Sequence, residues 1–387
     1  MATRVGMEVS IAAAEAVKQA NTDIIAAYPI TPQTHIVEHL SELVNNGELD
    51  AEFIPVESEH SAMSVCAGSS AVGARTFTCT SSQGLALMSE IVYAVSSLRL
   101  PMLMILTNRS LNSPLSIWND HSDVMSIRDC GWIQVFTESG QDVYDHVFIG
   151  FRVAEDRNVL NPFIINLDGF ILTHVIEPIE ILDQEIVDLY LPQYQPLHRL
   201  HPDRPVTIGC FGPPVLFTEA KKAQNEAMNN TMPHIIKAWQ EFGDLTGRYY
   251  HPIETYKTEE AKIVIITQGS LGETASIAID TMREKNEPVG LVKIRLWRPF
   301  PFMELREAVR GAELVVVMDR AISYGGPGGP LAGEIRSALY SEEGHPRVVN
   351  FIIGLGGRDV SPEDFIQMVQ QAKMKVGDWY EIYGVRE

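Results

Sequence analysis

The sequence predicts an α/β protein with a parallel sheet covered by helices on both faces, followed by a second, smaller α/β unit. Three observations predict it. Short apolar runs alternate with helix-length segments through the first 175 residues and again from residue 259. Several runs, such as Pro101-Met-Leu-Met-Ile-Leu-Thr107, are apolar without alternation, as expected of strands buried on both faces. Between the two regions the alternation stops, and Pro, Tyr and His become frequent. A length of 387 residues suits two or three domains. The expected division is 1–175, a connecting arm over 176–258, and 259–387.

Taken in order, residues 6–21 read as a first helix. It carries Glu8, Glu15 and Lys18, which excludes the apolar core of a signal peptide. Residues 23–28 read as a strand. Pro29-Ile-Thr-Pro32 then turns into a helix through residue 43, with Pro32 suited to the first helical position and Thr31 to the cap. Strands at 51–56, 76–80, 101–107, 132–137 and 161–166 alternate with helices at 58–74, 84–98 and 142–155. Ser139 and Asp142 have the spacing of a capping box for the helix at 142–155. The arm contains helix-like stretches at 217–229 and 233–246. In the second unit, strands at 262–267, 290–295, 313–318 and 348–353 alternate with helices at 273–285, 303–309, 331–340 and 362–374. The sequence shows no internal repeat and no low-complexity tract.

Composition narrows the function classes. The net charge of −20 argues against nucleic acid as a partner, because phosphate binding needs a surplus of Lys and Arg. It fits plain solubility or a basic partner. No apolar run reaches the roughly 18 residues of a membrane span, so the expected location is cytoplasmic and no membrane partner is expected. Cys66, Cys79, Cys130 and Cys210 form no C-x-x-C pair, so neither a zinc site nor an iron–sulfur cluster is expected here, and reduced, buried thiols are.

In such sheets the functional edge lies beyond the strand C-termini, and five segments there are candidates for chemistry. The hydroxyls of Thr31 and Thr34, with helix-start N–H groups, suit an anion; a plain Thr-Pro cap is the alternative. Val56-Glu-Ser-Glu-His60 brings two carboxylates and an imidazole to a strand end, with Glu57 and Glu59 on one face if the strand extends; a solvated helix start is the alternative. Arg109 follows the most apolar strand and is placed to grip a carboxylate, or to make a structural salt bridge. Trp118-Asn-Asp-His-Ser-Asp123 lacks metal-ligand spacing and reads as a loop and cap. Gly325-Gly-Pro-Gly-Gly-Pro330 is either a weak phosphate signal or a tight crossover. No G-x-S-x-G, H-E-x-x-H, P-loop or G-x-G-x-x-G motif occurs, and no Gly-Asp-Gly run with a later Asn-Asn.

The ordered set is more specific than its members. Tyr28-Pro-Ile-Thr-Pro-Gln-Thr34, Val56-Glu-Ser-Glu-His-Ser-Ala62, Thr80-Ser-Ser-Gln-Gly-Leu85, Asn108-Arg109, Asp120-His-Ser-Asp123, Gly131-Trp132 and Leu167-Asp-Gly-Phe170 stand in one order. Arg295-Leu-Trp-Arg-Pro-Phe300, Asp319-Arg-Ala-Ile-Ser323, Gly328-Gly-Pro-Leu331 and Gly354-Leu-Gly-Gly357 follow. Together they resemble the alpha subunit of 2-oxoacid:ferredoxin oxidoreductases, closest to the pyruvate type, over nearly the whole chain.

The resemblance implies a pyrimidine-type thiamine diphosphate-binding domain and a transketolase-C-like domain. It implies a cofactor shared with a beta subunit that holds Mg2+ and a [4Fe-4S] cluster, together with gamma and ferredoxin-like delta subunits, ferredoxin or another acceptor, and coenzyme A, in anaerobic metabolism. Residue by residue, Glu59 matches the glutamate that bonds the aminopyrimidine and favours its imino form. Arg109 and Thr31 match the contacts to the substrate. Tyr28, Pro29, Ser82 and Gln83 are expected at the cofactor, and Ile30 and Asn112 at the substrate. A single cation at Arg109, with Thr at position 31, suits a monocarboxylate. Pruvate-type chemistry is the first expectation. A branched or aromatic acid such as phenylglyoxylate follows, because Asn108-Arg-Ser-Leu-Asn112 departs from the expected pyruvate pattern. A thiamine-dependent decarboxylase or transferase without electron transfer is a further alternative.

Overall fold

In the computed structural model, residues 3–377 and 379–386 are described. The chain opens with β1 (Thr3–Glu8), α1 (Val9–Gln19), β2 (Ile24–Ala27), α2 (Thr34–Asn45), β3 (Glu52–Pro55), α3 (Glu59–Val72), β4 (Thr76–Thr80) and α4 (Ser82–Ser97). It continues with β5 (Leu103–Asn108), α5 (Ser122–Ser126), β6 (Ile133–Phe136), α6 (Gly140–Ala154), β7 (Phe163–Asp168), β8 (Ile176–Ile181), α7 (Gln184–Tyr190), α8 (Pro214–Asn229) and α9 (Met232–Thr246). The remaining elements are β9 (Ile253–Tyr256), β10 (Ile263–Thr267), α10 (Leu271–Glu284), β11 (Val289–Ile294), β12 (Leu296–Arg298) and α11 (Phe302–Ala308). Last come β13 (Leu314–Asp319), α12 (Pro330–Leu339), β14 (Arg347–Ile352), a short 3-10 turn, α13 (Pro362–Met374) and β15 (Trp379–Ile382).

Two mainly parallel sheets result. The first runs β12-β6-β7-β5-β4-β2-β3, with β12 its single antiparallel member. The second runs β15-β14-β13-β10-β11-β9, with β9 antiparallel. The apolar runs explain the centre of each: every residue of β5, β7 and β13 is buried. The sheets are not independent. One continuous core holds Met63, Leu85 and Trp132 from the first with Val292, Val317 and Leu331 from the second. Trp132 and Trp297 are both fully buried in it. Truncating either to Ala would cost about 3–5 kcal/mol.

Several elements depart from expectation. Residues 6–21 are not one helix: β1 pairs antiparallel with β8 before α1 begins. Pro32 does not open α2. The helix starts two residues later at Thr34 with Gln33 as its cap, and the Thr31–Pro32 bond is cis. At α6 only half of the capping box forms. Ser139 Oγ accepts the Asp142 N–H at 3.3 Å, but Asp142 takes the Glu138 N–H at 3.0 Å and the Arg295 guanidinium at 3.3 Å. At α13 a complete box between Ser361 and Asp364 does form. Three of the four cysteines are buried as expected, whereas Cys210 is exposed.

Candidate active site

The parallel order β5-β4-β2-β3 places four strand ends side by side, and the site is built on the loops that follow them. After β3 the chain turns into α3, where Ser58 Oγ accepts the Ser61 N–H at 3.2 Å and caps the helix. Glu59 is therefore the first helical residue. It is 7% exposed, and its carboxyl accepts no hydrogen bond among the described residues. It does not share a face with Glu57, because the strand ends at Pro55. Glu57 is exposed, and its bond to Ser61 Oγ holds its carboxyl below the usual range. A solvated helix start describes Glu57, not Glu59. His60 lies half-exposed, 3.6 Å from the exposed Glu90.

After β4, Ser82 begins α4 with a positive φ of 44°. Its hydroxyl lies 2.6 Å from the Ser110 carbonyl oxygen and 2.7 Å from Gln83 Oε1. Gly84 follows, and a Cβ there would stand 2.7 Å from Glu59 Oε1 and 2.4 Å from Thr80 Oγ1. The Thr80 hydroxyl is itself buried and unpartnered. Glycine thus lets the α4 backbone press directly against the Glu59 carboxyl.

After β5 comes Arg109, 7% exposed. Its Nη1 donates to the Thr31 carbonyl at 2.9 Å, its Nε to the Ser116 carbonyl at 3.0 Å, and its Nη2 to Gln83 Oε1 at 3.4 Å. The alternative, a structural salt bridge, is not made among the described residues. The opposite charge acting on Arg109 is Asp123, which bonds its backbone N–H rather than its guanidinium. Burial lowers the guanidinium from its ordinary value, a change that still leaves an arginine cationic. Three of its five N–H groups are engaged and two remain.

After β2, Gln33 fastens the turn that carries Thr31. It is fully buried, its Nε2 donates to the Tyr28 carbonyl at 2.8 Å, and its backbone N–H donates to the Ile30 carbonyl at 2.9 Å. Tyr28, Pro29 and Thr31 are exposed and Ile30 is half-buried. Arg109 meets Thr31 through the backbone carbonyl, not the hydroxyl.

Glu59, Gly84, Gln83, Arg109 and Thr31 thus form one chain of contacts across four strand ends. Ser82 joins it through Gln83. Asn112 stands apart: it is exposed and lines a 670 Å³ cavity with Leu111, Ser323 and Tyr324, to which neither Glu59 nor Arg109 contributes.

Two further buried residues support the site, and neither was expected from the sequence to do more than cap or end an element. Asp123 accepts the backbone N–H groups of Arg109 at 3.0 Å, Ser82 at 3.2 Å and Val124 at 2.7 Å, and the Asn108 amide at 3.1 Å. Burial pushes its carboxyl up to about 7 against the pull of these donors. Asp168, at the end of β7, is bonded by His121 Nε2 at 2.8 Å, Arg320 Nη1 at 2.9 Å and the Ser270 N–H at 2.9 Å. Burial opposes its ionisation, but Arg320 and His121 outweigh it and hold the carboxyl well below its usual range.

The Gly-rich loop is a crossover rather than a phosphate cradle. The N–H groups of Leu331 and Ala332 are taken by Asp319 at 2.8 and 3.0 Å, and that of Gly329 by Asn350 at 2.9 Å. A Cβ on Gly329 would lie 2.1 Å from the Asp319 carboxyl carbon. Among the described residues no group of three or more His, Cys, Asp or Glu could hold a metal ion. Nor is any helix long and apolar enough to cross a membrane.

Known proteins resemble the stretch of chain that carries these residues. Residues 15–239 match the family described as pyruvate flavodoxin/ferredoxin oxidoreductase, thiamine diP-bdg, and residues 261–365 match pyruvate:ferredoxin oxidoreductase core domain II. The pyruvate synthase subunit PorA of Methanothermobacter thermautotrophicus is 48% identical over 94% of this chain and 93% of its own length. The subunit of the same name from Thermotoga maritima is 42% identical over 99% and 98%. A ketoisovalerate oxidoreductase subunit VorA from Pyrococcus horikoshii is 40% identical over 96% of each chain. In fold, the chain resembles a 2-oxoglutarate:ferredoxin oxidoreductase from Magnetococcus marinus, with a TM-score of 0.68 at 19% identity. That match covers 95% of this chain, which spans 65% of the other's length. The chain therefore belongs to the pyruvate:ferredoxin oxidoreductase family, as an alpha-type subunit of a multi-subunit oxidoreductase of the kind its PorA relatives represent.

Proposed function

We propose that this subunit supplies half of the site at which a 2-oxo monocarboxylate, pyruvate foremost, is oxidatively decarboxylated to an acyl-coenzyme A and carbon dioxide. One observation carries the reading: the Arg109 guanidinium, with two N–H groups uncommitted, and the largely buried Glu59 carboxyl, which has no donor, flank Gln83-Gly84 among the described residues. A buried carboxyl without a donor is costly unless something supplies one. A ring nitrogen that carries or shares a proton does so, and the residues present therefore fit an aminopyrimidine. Thiamine diphosphate, when bound, supplies the carbon nucleophile and the electron sink that 2-oxoacid cleavage needs.

In this reading Glu59 holds a proton against the pyrimidine ring. The backbone of Tyr28-Pro29 and the start of α4 at Ser82-Gln83 form the cofactor's wall. Arg109 orients the acid through charge-assisted hydrogen bonds, Thr31 adds a hydroxyl, and Ile30 faces toward the acid's tail. A beta subunit carries the Mg2+-bound diphosphate and a [4Fe-4S] cluster. That cluster, with gamma and ferredoxin-like delta subunits, would supply the one-electron path to ferredoxin, and coenzyme A would take the acyl group. Four unpaired cysteines support a reducing compartment, the cytoplasm. The VorA relative supports a second reading, the same reaction on a branched 2-oxoacid.

The test is the purified complex with a panel of 2-oxoacids, coenzyme A and a viologen acceptor. Pyruvate is expected to reduce the acceptor fastest and 2-ketoisovalerate more slowly. Release of aldehyde with no acceptor reduced would remove the redox reading. In the same assay Glu59→Gln is expected to lose about 10²–10⁴-fold in turnover while the complex still assembles. Turnover like that of the unchanged protein would remove Glu59 from the mechanism.

A further inference from the structure

Asp123 touches neither the Glu59 carboxyl nor the Arg109 guanidinium, yet it lies where the backbones that carry both sides of the site converge. Its Oδ2 accepts the N–H of Arg109 at 3.0 Å and the N–H of Ser82 at 3.2 Å. Its Oδ1 accepts the Asn108 amide at 3.1 Å and its own helix's Val124 N–H at 2.7 Å. One fully buried carboxylate thus ties the residue after β5 to the first residue of α4. All four contacts are donors toward it, so it acts as an acceptor only.

The Ser82 contact is informative. Ser82 has φ of 44°, a region that costs a non-glycine residue about 1 kcal/mol or more unless its surroundings hold it there. The bond from its N–H to Asp123 is one such restraint. This backbone sets the heading of Gln83, which meets the Arg109 guanidinium, and of Gly84, which presses on Glu59. Asp123 is itself held from the second sheet. In the loop before it, the His121 N–H donates to the Arg320 carbonyl at 2.8 Å, and Asp120 accepts the Gly356 N–H at 3.2 Å.

We propose that Asp123 is a positioning residue that sets the acid-gripping geometry of Arg109 relative to the start of α4. The proposal rests on the reading of Arg109 as the acid's anchor. An Asn at this position is nearly isosteric, but its NH2 would face N–H donors whichever way the amide turns, so at least one pair of contacts is lost. A misplacement of the order of 1 Å can cost about a hundredfold.

The experiment is a double-mutant cycle in the assembled complex with Asp123→Asn, Arg109→Ala and both together. It reads KM for pyruvate, KM for coenzyme A, and complex assembly by size-exclusion chromatography. Asp123→Asn is expected to assemble, to lower kcat/KM for pyruvate about a hundredfold mainly through KM, and to leave KM for coenzyme A unchanged. In the Arg109→Ala background the same change is expected to add less than about threefold, because the group it positions is gone. Multiplicative effects of the two changes, an unchanged KM for pyruvate, or failure of Asp123→Asn to assemble would each overturn the proposal; the last would show that the carboxylate holds the fold instead. If Arg109→Ala alone leaves KM for pyruvate unchanged, the anchor reading fails, and that result is distinct from a multiplicative cycle.

Discussion

Gly84 is the residue at which local preference and site geometry most clearly disagree. It is the third residue of α4, where alanine would stabilise a helix by up to about 1 kcal/mol. A Cβ would nevertheless lie 2.4 Å from Thr80 Oγ1 and 2.7 Å from Glu59 Oε1, both on well-packed ground. We predict that Gly84→Ala lowers turnover of the complex by at least tenfold and lowers rather than raises its melting temperature. A rise in melting temperature with full turnover would show that Glu59 can move aside freely. The sequence made Glu59, Arg109 and Thr31 legible as candidates, because a charged or hydroxyl side chain at the end of an apolar strand is conspicuous. Asp123 was not, because an acidic residue in the first turn of a short helix looks the same whether it caps the helix or reaches across to two other strands. Asn112 looked like a site residue from its loop alone, and the fold turns it into a separate cavity.

At the scale of elements, burial decided what could be read. Strands β5, β7 and β13 are buried throughout, and their apolar runs announced them. β1 is mostly exposed and its partner β8 alternates, so neither carries that signal. β12 has three residues, too few for any pattern, and is fixed by pairing with β6. Helices show the same contrast. α6 buries thirteen of its fifteen residues, whereas α8, in the expected arm, buries none of its sixteen. Phe211, Val215 and Leu216 around its start are more than half exposed. A helix of that length with no buried residue is marginal in water. We predict that in the isolated chain the α8 amides exchange with deuterium at least a hundredfold faster than those of α6. Equal protection of the two helices would show that the arm is held by more than this chain's packing.

At the scale of the molecule, two sheets must keep a fixed relation for the site to exist, because the loop carrying Asp123 is held from both. The shared apolar core supplies most of that adhesion, and buried charges supply direction. Asp168 ends β7 of the first sheet, and its partner Arg320 follows β13 of the second, each no more than 3% exposed. Removing one partner of a buried pair costs about 3–5 kcal/mol because the other is left without compensation. Asp168 keeps His121 and Ser270, which favours the lower figure. The sign of the pH dependence follows from the depressed carboxyl. Its contribution is complete above the unfolded value near 3.8 and is lost only as pH falls below it toward the folded one. Arg320→Ala is therefore expected to lower urea stability by about 3 kcal/mol at pH 7, and to lose less than the unchanged protein as pH falls below about 4. Equal stability of the two proteins at pH 7 would mean that the apolar core alone fixes the sheets. Parallel loss below pH 4 would mean that Asp168 does not depend on Arg320 for its charge.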